Sequence, residues 1–113
     1  MHELGVLLEV VDQVSNVAKE NDVTEVEKLV IEVGELCSMI PKYMYDLYPM
    51  AIMDSVLEGS ELEIEVIPGV GKCSKCSTEY NLLENEGYCP QCKAMSFNVI
   101  SGEEFIIKEI LCK

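Results

Sequence analysis

Two Cys-x-x-Cys turns constrain this chain more than any other feature: Cys73-Ser-Lys-Cys76, then twelve residues, then Cys89-Pro-Gln-Cys92. Each turn lets two sulfurs converge from one tight backbone loop, and two turns complete a tetrahedron. Four thiolates at ~2.3 Å suit Zn²⁺, and a closed four-ligand site is structural because no coordination position remains for substrate. The segment around them, residues 70–100, holds few core aliphatics, so metal binding must supply much of its folding energy. Iron in a rubredoxin-like site is the main rival, since ligand type alone does not separate the two metals. A thioredoxin-like redox pair would need no second pair beside it. The two remaining cysteines, Cys37 and Cys112, read as small buried hydrophobes.

Length and charge narrow the classes further. A chain of 113 residues with 49% hydrophobic content suits one compact domain with a small satellite, which excludes an enzyme with separate cofactor and substrate lobes. Twenty-one acidic residues against eight basic ones give a net charge of −13. That surface repels phosphate, so nucleic acid is a poor partner, and cations or basic protein faces are better ones. No apolar run reaches the ~18–20 residues that span a bilayer. Met1-His2-Glu3-Leu4 lacks the positive flank and apolar stretch of a secretion leader. The expected compartment is the cytoplasm, where thiols stay reduced.

Leu4, Leu7, Leu8, Val11, Val14 and Ala18 recur at helical spacing and predict a first helix ending near Asn21-Asp22, with Glu3 in its first turn. Residues 25–34 read as a strand with Leu29, Ile31 and Val33 on one face; Val30 breaks the alternation and implies cover on both sides. Pro41 fits the first position of a second helix to about Leu57, kinked or split at Pro49. Leu62, Ile64 and Val66 alternate with Glu61, Glu63 and Glu65 in a strand over 61–67, and residues 105–111 form a returning strand. The expected fold class is α+β: two helices packed on a small three-stranded sheet, with an inserted zinc-ribbon-like four-cysteine domain. The expected domains are 1–68 plus 103–113, and 69–102.

The lone histidine stands at position 2. The α-amine of Met1, the backbone nitrogen of His2 and its imidazole can close adjacent chelate rings on one ion. Such a nitrogen-rich set suits Ni²⁺ or Cu²⁺. The peptide nitrogen of Glu3 or its carboxylate can supply a further donor. This site is exposed and labile, in contrast to the thiolate cage.

The residues resemble the HypA/HybF hydrogenase maturation proteins, which are nickel metallochaperones. The resemblance rests on Met1-His2-Glu3-Leu4, Val33-Gly34-Glu35-Leu36, Gly59-Ser60-Glu61-Leu62-Glu63-Ile64, the paired cysteine turns and Gly102-Glu103-Glu104-Phe105-Ile106-Ile107. It implies that His2 binds nickel with Met1 and Glu3 contributing, and that Cys73, Cys76, Cys89 and Cys92 hold structural zinc. It further implies delivery of Ni²⁺ into a hydrogenase large subunit, with a HypB-type hydrogenase-maturation GTPase as partner; some relatives also serve urease. The chain departs from some members of that family in Ser38-Met39-Ile40-Pro41, where they carry an acidic residue, in lacking a second histidine, in Ser77 where glycine is common, and in Pro49.

The reading is therefore a non-enzymatic nickel carrier with two unlike metal sites. Two alternatives from other classes remain: a zinc-ribbon interaction module without nickel, and an iron-thiolate electron carrier. An enzyme is disfavoured because no base or nucleophile arrangement is apparent.

Overall fold

The computed structural model describes residues 2–113, with His2 described by its backbone alone. The elements in order are α1 (His2–Glu20), β1 (Val26–Gly34), α2 (Pro41–Ala51), β2 (Glu61–Ile67), β3 (Val70–Cys73), β4 (Glu79–Asn81), β5 (Phe97–Ser101) and β6 (Phe105–Cys112). They form two three-stranded sheets, ordered β2-β1-β6 and β4-β3-β5. The fold is α+β, as the sequence predicts. Among the described residues, no helix is long and apolar enough to cross a membrane.

The first unit holds both helices. The row of α1 that it buries is Glu3, Leu7, Val10, Val14 and Ala18. Of the predicted stripe, Leu8 is half-exposed and Leu4 and Val11 only partly buried, while Val10 takes the inward place. Helix α1 ends where expected, with Asp22 left-handed at φ 56° and the Val23 amide bonded to the Ala18 carbonyl at 2.8 Å. In β1, Leu29, Ile31 and Val33 are buried, and so is Val30, in keeping with cover on both faces.

Helix α2 is shorter than the pattern predicts. Pro49 has no amide to donate to the preceding turn, and the helix stops at Ala51, its last bond running from the Ile52 amide to the Tyr48 carbonyl. The chain then turns through Asp54, at φ 60°, and Gly59, at φ 81°, before entering β2. Gly59 therefore closes a turn eight residues beyond the end of α2.

Backbone bonds and one cross-strand ion pair give the strand directions. Gly34 bonds to Glu104 and Lys113 to Glu25, so β6 runs antiparallel to β1. Lys28 pairs with Glu63 while Glu35 bonds to Ile67, so β2 runs parallel to β1, as a helical crossover through α2 requires.

The second unit takes in 66–105 and also 33–38. The sequence reading leaves 33–38 with the helices. The reason for the difference is Leu36, which packs against the small core of Cys73, Tyr80, Leu82 and Cys89. Cys112 is exposed and Cys37 half-buried, so neither is the fully buried hydrophobe that the sequence suggests.

Candidate metal centre

The four sulfurs of Cys73, Cys76, Cys89 and Cys92 all lie within 4.8 Å of one another. Cys73 Sγ is 3.6 Å from Cys92 Sγ, and Cys76 Sγ is 3.5 Å from Cys89 Sγ. A tetrahedron with ~2.3 Å arms has edges of about 3.8 Å. The set therefore fits a tetrahedral ion and can hold a metal.

Both turns have the same local build. The Ser77 amide bonds to the Cys73 carbonyl at 3.0 Å, and the Lys93 amide to the Cys89 carbonyl at 2.9 Å. Ser77 and Lys93, each immediately after the second cysteine of its turn, are left-handed at φ 64° and 66°. The reversal aims both sulfurs of each pair to the same side. Glycine takes this conformation without strain; serine and lysine do not.

The packing explains why so short a segment folds here. Cys73 and Cys89 are buried and themselves form half of the unit's four-residue buried core, while Cys76 and Cys92 are exposed. Tyr80 meets Phe97 edge to face at 6.4 Å and donates to the Gly87 carbonyl at 2.9 Å. Gly71, inside β3, leaves room for Leu82, which a Cβ would strike.

Electrostatics within the thiol cluster are uneven. Backbone amides of Cys76 and Lys75 hold the Cys73 thiol below its ordinary value. The Thr78 hydroxyl and amide bring Cys76 down to about 6. The Ala94 amide pulls Cys92 down too, but its three thiol neighbours outweigh that and push it up to about 11. Cys73 and Cys76 are thus favoured as thiolates, while bonds to the other thiols and burial oppose ionisation of Cys92, a conflict that a bound divalent cation removes.

Of the residues proposed for nickel, Met1 and the His2 side chain lie outside the described residues. Glu3 is described: it is 3% exposed, and its Oε2 accepts a hydrogen bond from the Ile40 amide at 3.0 Å. Sequence reasoning missed this pairing and the role of residues 34–36. A Cβ on Gly34 would overlap the Gly102 backbone. Glu35 Oε1 accepts from the Gly69 amide at 2.8 Å and from Asn81 Nδ2 at 3.2 Å. Their only trace in the sequence was the Val33-Gly34-Glu35-Leu36 motif.

Comparison with known proteins is decisive at this point. The family model described as "Hydrogenase/urease nickel incorporation, metallochaperone, hypA" matches residues 1–112. The chain belongs to the HypA family. It is 36% identical to the hydrogenase maturation factor HypA of Trichodesmium erythraeum, over 97% of this chain and 94% of the relative. It is 31% identical to that of Chlorobium limicola, over 97% and 95%. The fold is similar to the solution structure of the Ni metallochaperone HypA from Helicobacter pylori, with TM-score 0.66, 19% identity and coverage of 97% and 96%. A second solution structure of a HypA protein superposes with TM-score 0.70 at 22% identity, over 100% and 97%. Within this HypA chain, the two glycines at the 34–102 crossing and the Glu35 bonds hold the base of the metal-binding segment.

Proposed function

We propose that this chain carries Ni²⁺ at its amino-terminal tripeptide and delivers it during maturation of [NiFe]-hydrogenase. The observation that carries this reading is the nickel-incorporation family match across residues 1–112. His2 supplies the imidazole, and Met1 and Glu3 supply further donors. One carboxylate oxygen of Glu3 is engaged by Ile40, which favours the Glu3 peptide nitrogen over the carboxylate as its donor.

Cys73, Cys76, Cys89 and Cys92 hold Zn²⁺, which organises the second unit and takes no part in transfer. A closed cage retains its ion, whereas an open nitrogen chelate exchanges cargo with a partner's ligands. The partners are a HypB-type GTPase and the hydrogenase large subunit, with urease maturation proteins as further clients, in the cytoplasm. The chain catalyses no reaction of its own in this scheme.

The test is a nickel titration of metal-analysed protein. One equivalent of Ni²⁺ should bind, be abolished by His2→Ala, and be weakened by any extension before Met1, while bound zinc stays constant. Nickel binding unchanged by both alterations would overturn the reading. A red protein, with visible thiolate-to-iron absorption, would overturn the zinc assignment.

A further inference from the structure

The two edges of the sheet β2-β1-β6 differ in how they are protected. Edge β2 alternates Glu61, Glu63 and Glu65 along one face, and Lys28 and Lys108 pair across to them. Edge β6 is guarded by two adjacent charges alone, Lys108 and Glu109. It is eight residues long and contains no proline or glycine. Its single lysine, Lys108, is turned to Glu65 at 2.8 Å. Ile106 and Leu111 are 47% and 42% exposed. A long apolar edge of this kind is a template for one more strand.

Beside that edge lies a groove of about 270 Å³ lined by Gln13, Val14 and Val17 of α1 and by Ile107 and Ile110 of β6. Its helical rim is acidic: Glu9 and Glu20, both exposed, continue the row of Gln13 and Val17 along α1. A second copy of the chain would bring a second acidic rim and another −13 against the first.

We infer that the β6 edge and this groove receive an extended segment of a partner protein, apolar at alternate positions and basic between them, as an added strand. Backbone bonds to β6 supply affinity, the groove takes the apolar side chains, and the acidic rim meets the basic ones. This surface uses none of the residues proposed to hold metal, so it stands or falls apart from the nickel reading.

Amide hydrogen exchange on the full chain tests it, with two eight-residue probe peptides: one alternating valine and lysine, the other with the same residues in two blocks. The alternating peptide should protect amides of 105–112, and the block peptide should not. Val17→Lys, at a position 44% exposed and therefore compatible with folding, should weaken binding about ten-fold. Equal protection by both peptides, or protection mapping elsewhere, would overturn the inference. Concentration-dependent dimerisation that protects β6 without peptide would assign the edge to a second copy and overturn it as well.

Discussion

Glu3 Oε2 accepts the Ile40 amide at 3.0 Å, joining residues 37 positions apart. Ile40 is the N-cap residue of α2 and offers no side-chain cap of its own, while Pro41 follows at the helix start. The carboxylate thus stands at the positive end of α2, where charge and hydrogen bonding both favour it. Sequence reasoning gave Glu3 to the dipole of its own helix. The structure shows it also serving another. The consequence is that the turn of α1 bearing His2 and Glu3 is tied to the start of α2.

Removing that acceptor should be felt in stability. Glu3→Ala leaves the part-buried Ile40 amide unsatisfied, a loss of about 1–3 kcal/mol. Glu3→Gln keeps an acceptor oxygen and should cost clearly less. Urea unfolding of both variants checks the order. Equal stability of the alanine variant and the parent would mean that the bond holds nothing in place.

Gly34 and Gly102 approach so closely that a Cβ on Gly34 would enter the Gly102 backbone. Backbone cannot swing aside as a side-chain tip can. Gly34→Ala should therefore reach the upper part of the ~1–3 kcal/mol typical of overpacking. Gly5→Ala is the control, since a Cβ there meets nothing within 4 Å. The expected result is a lower urea midpoint for the first and none for the second.

Lys28 Nζ sits 2.7 Å from Glu63 and 4.0 Å from Glu61. The Glu63 hydrogen bond raises Lys28, and Lys28 in turn lowers Glu63. A carboxyl lowered in the folded state contributes above its unfolded value of ~4.3 and loses that contribution as pH falls through its folded one. A raised lysine contributes below ~10.4 and loses it as pH rises further. Lys28→Ala should therefore lower the urea midpoint by a small, constant amount from about pH 6 to 9, and by less under acid conditions. A difference that changes between pH 6 and 8 would refute this assignment.

What was legible in the sequence was local. The bounds of β2, Glu61–Ile67, were legible because a half-buried strand needs only a period of two, although Val66, read as inward, is half-exposed at the end of the strand. The cysteine turns were legible because ligand spacing is itself local. The end of α2 was not, since Pro49 fixed a break without fixing on which side the chain would resume. Strands β3 to β5 escaped notice because Val70–Cys73 contains Gly71 and Glu79–Asn81 has one buried side chain, Tyr80. The long-range pairs Glu3–Ile40 and Gly34–Gly102, and the placement of Leu36 in the second core, depend on partners that no window of sequence holds together.

Metal removal should divide the molecule. With Cys73 and Cys89 forming half of the second unit's buried core, stripping the ion leaves Tyr80 and Leu82 too little to pack against. Chelation, or Cys76→Ser, should raise amide exchange across Val70–Ser101. The α1 amides, packed through Leu7, Val10 and Val14 in the first unit, should stay protected. Uniform loss of protection throughout would show that the units do not fold separately.

Ser77 offers a gain where most substitutions cost. Its φ of 64° strains an L-residue by roughly 1–2 kcal/mol. Glycine relieves that strain but adds ~0.4–1 kcal/mol of unfolded-chain entropy, so the strain wins. Ser77→Gly should stabilise the first cysteine turn by up to ~1 kcal/mol, whereas the β-branched Ser77→Val should weaken it. Competition with a zinc chelator measures both, because the energy of the turn adds to the energy of metal capture. Ser77→Gly should retain zinc at higher chelator concentration than the parent and Ser77→Val at lower; the reverse order would mean that the left-handed residue is not what limits the site.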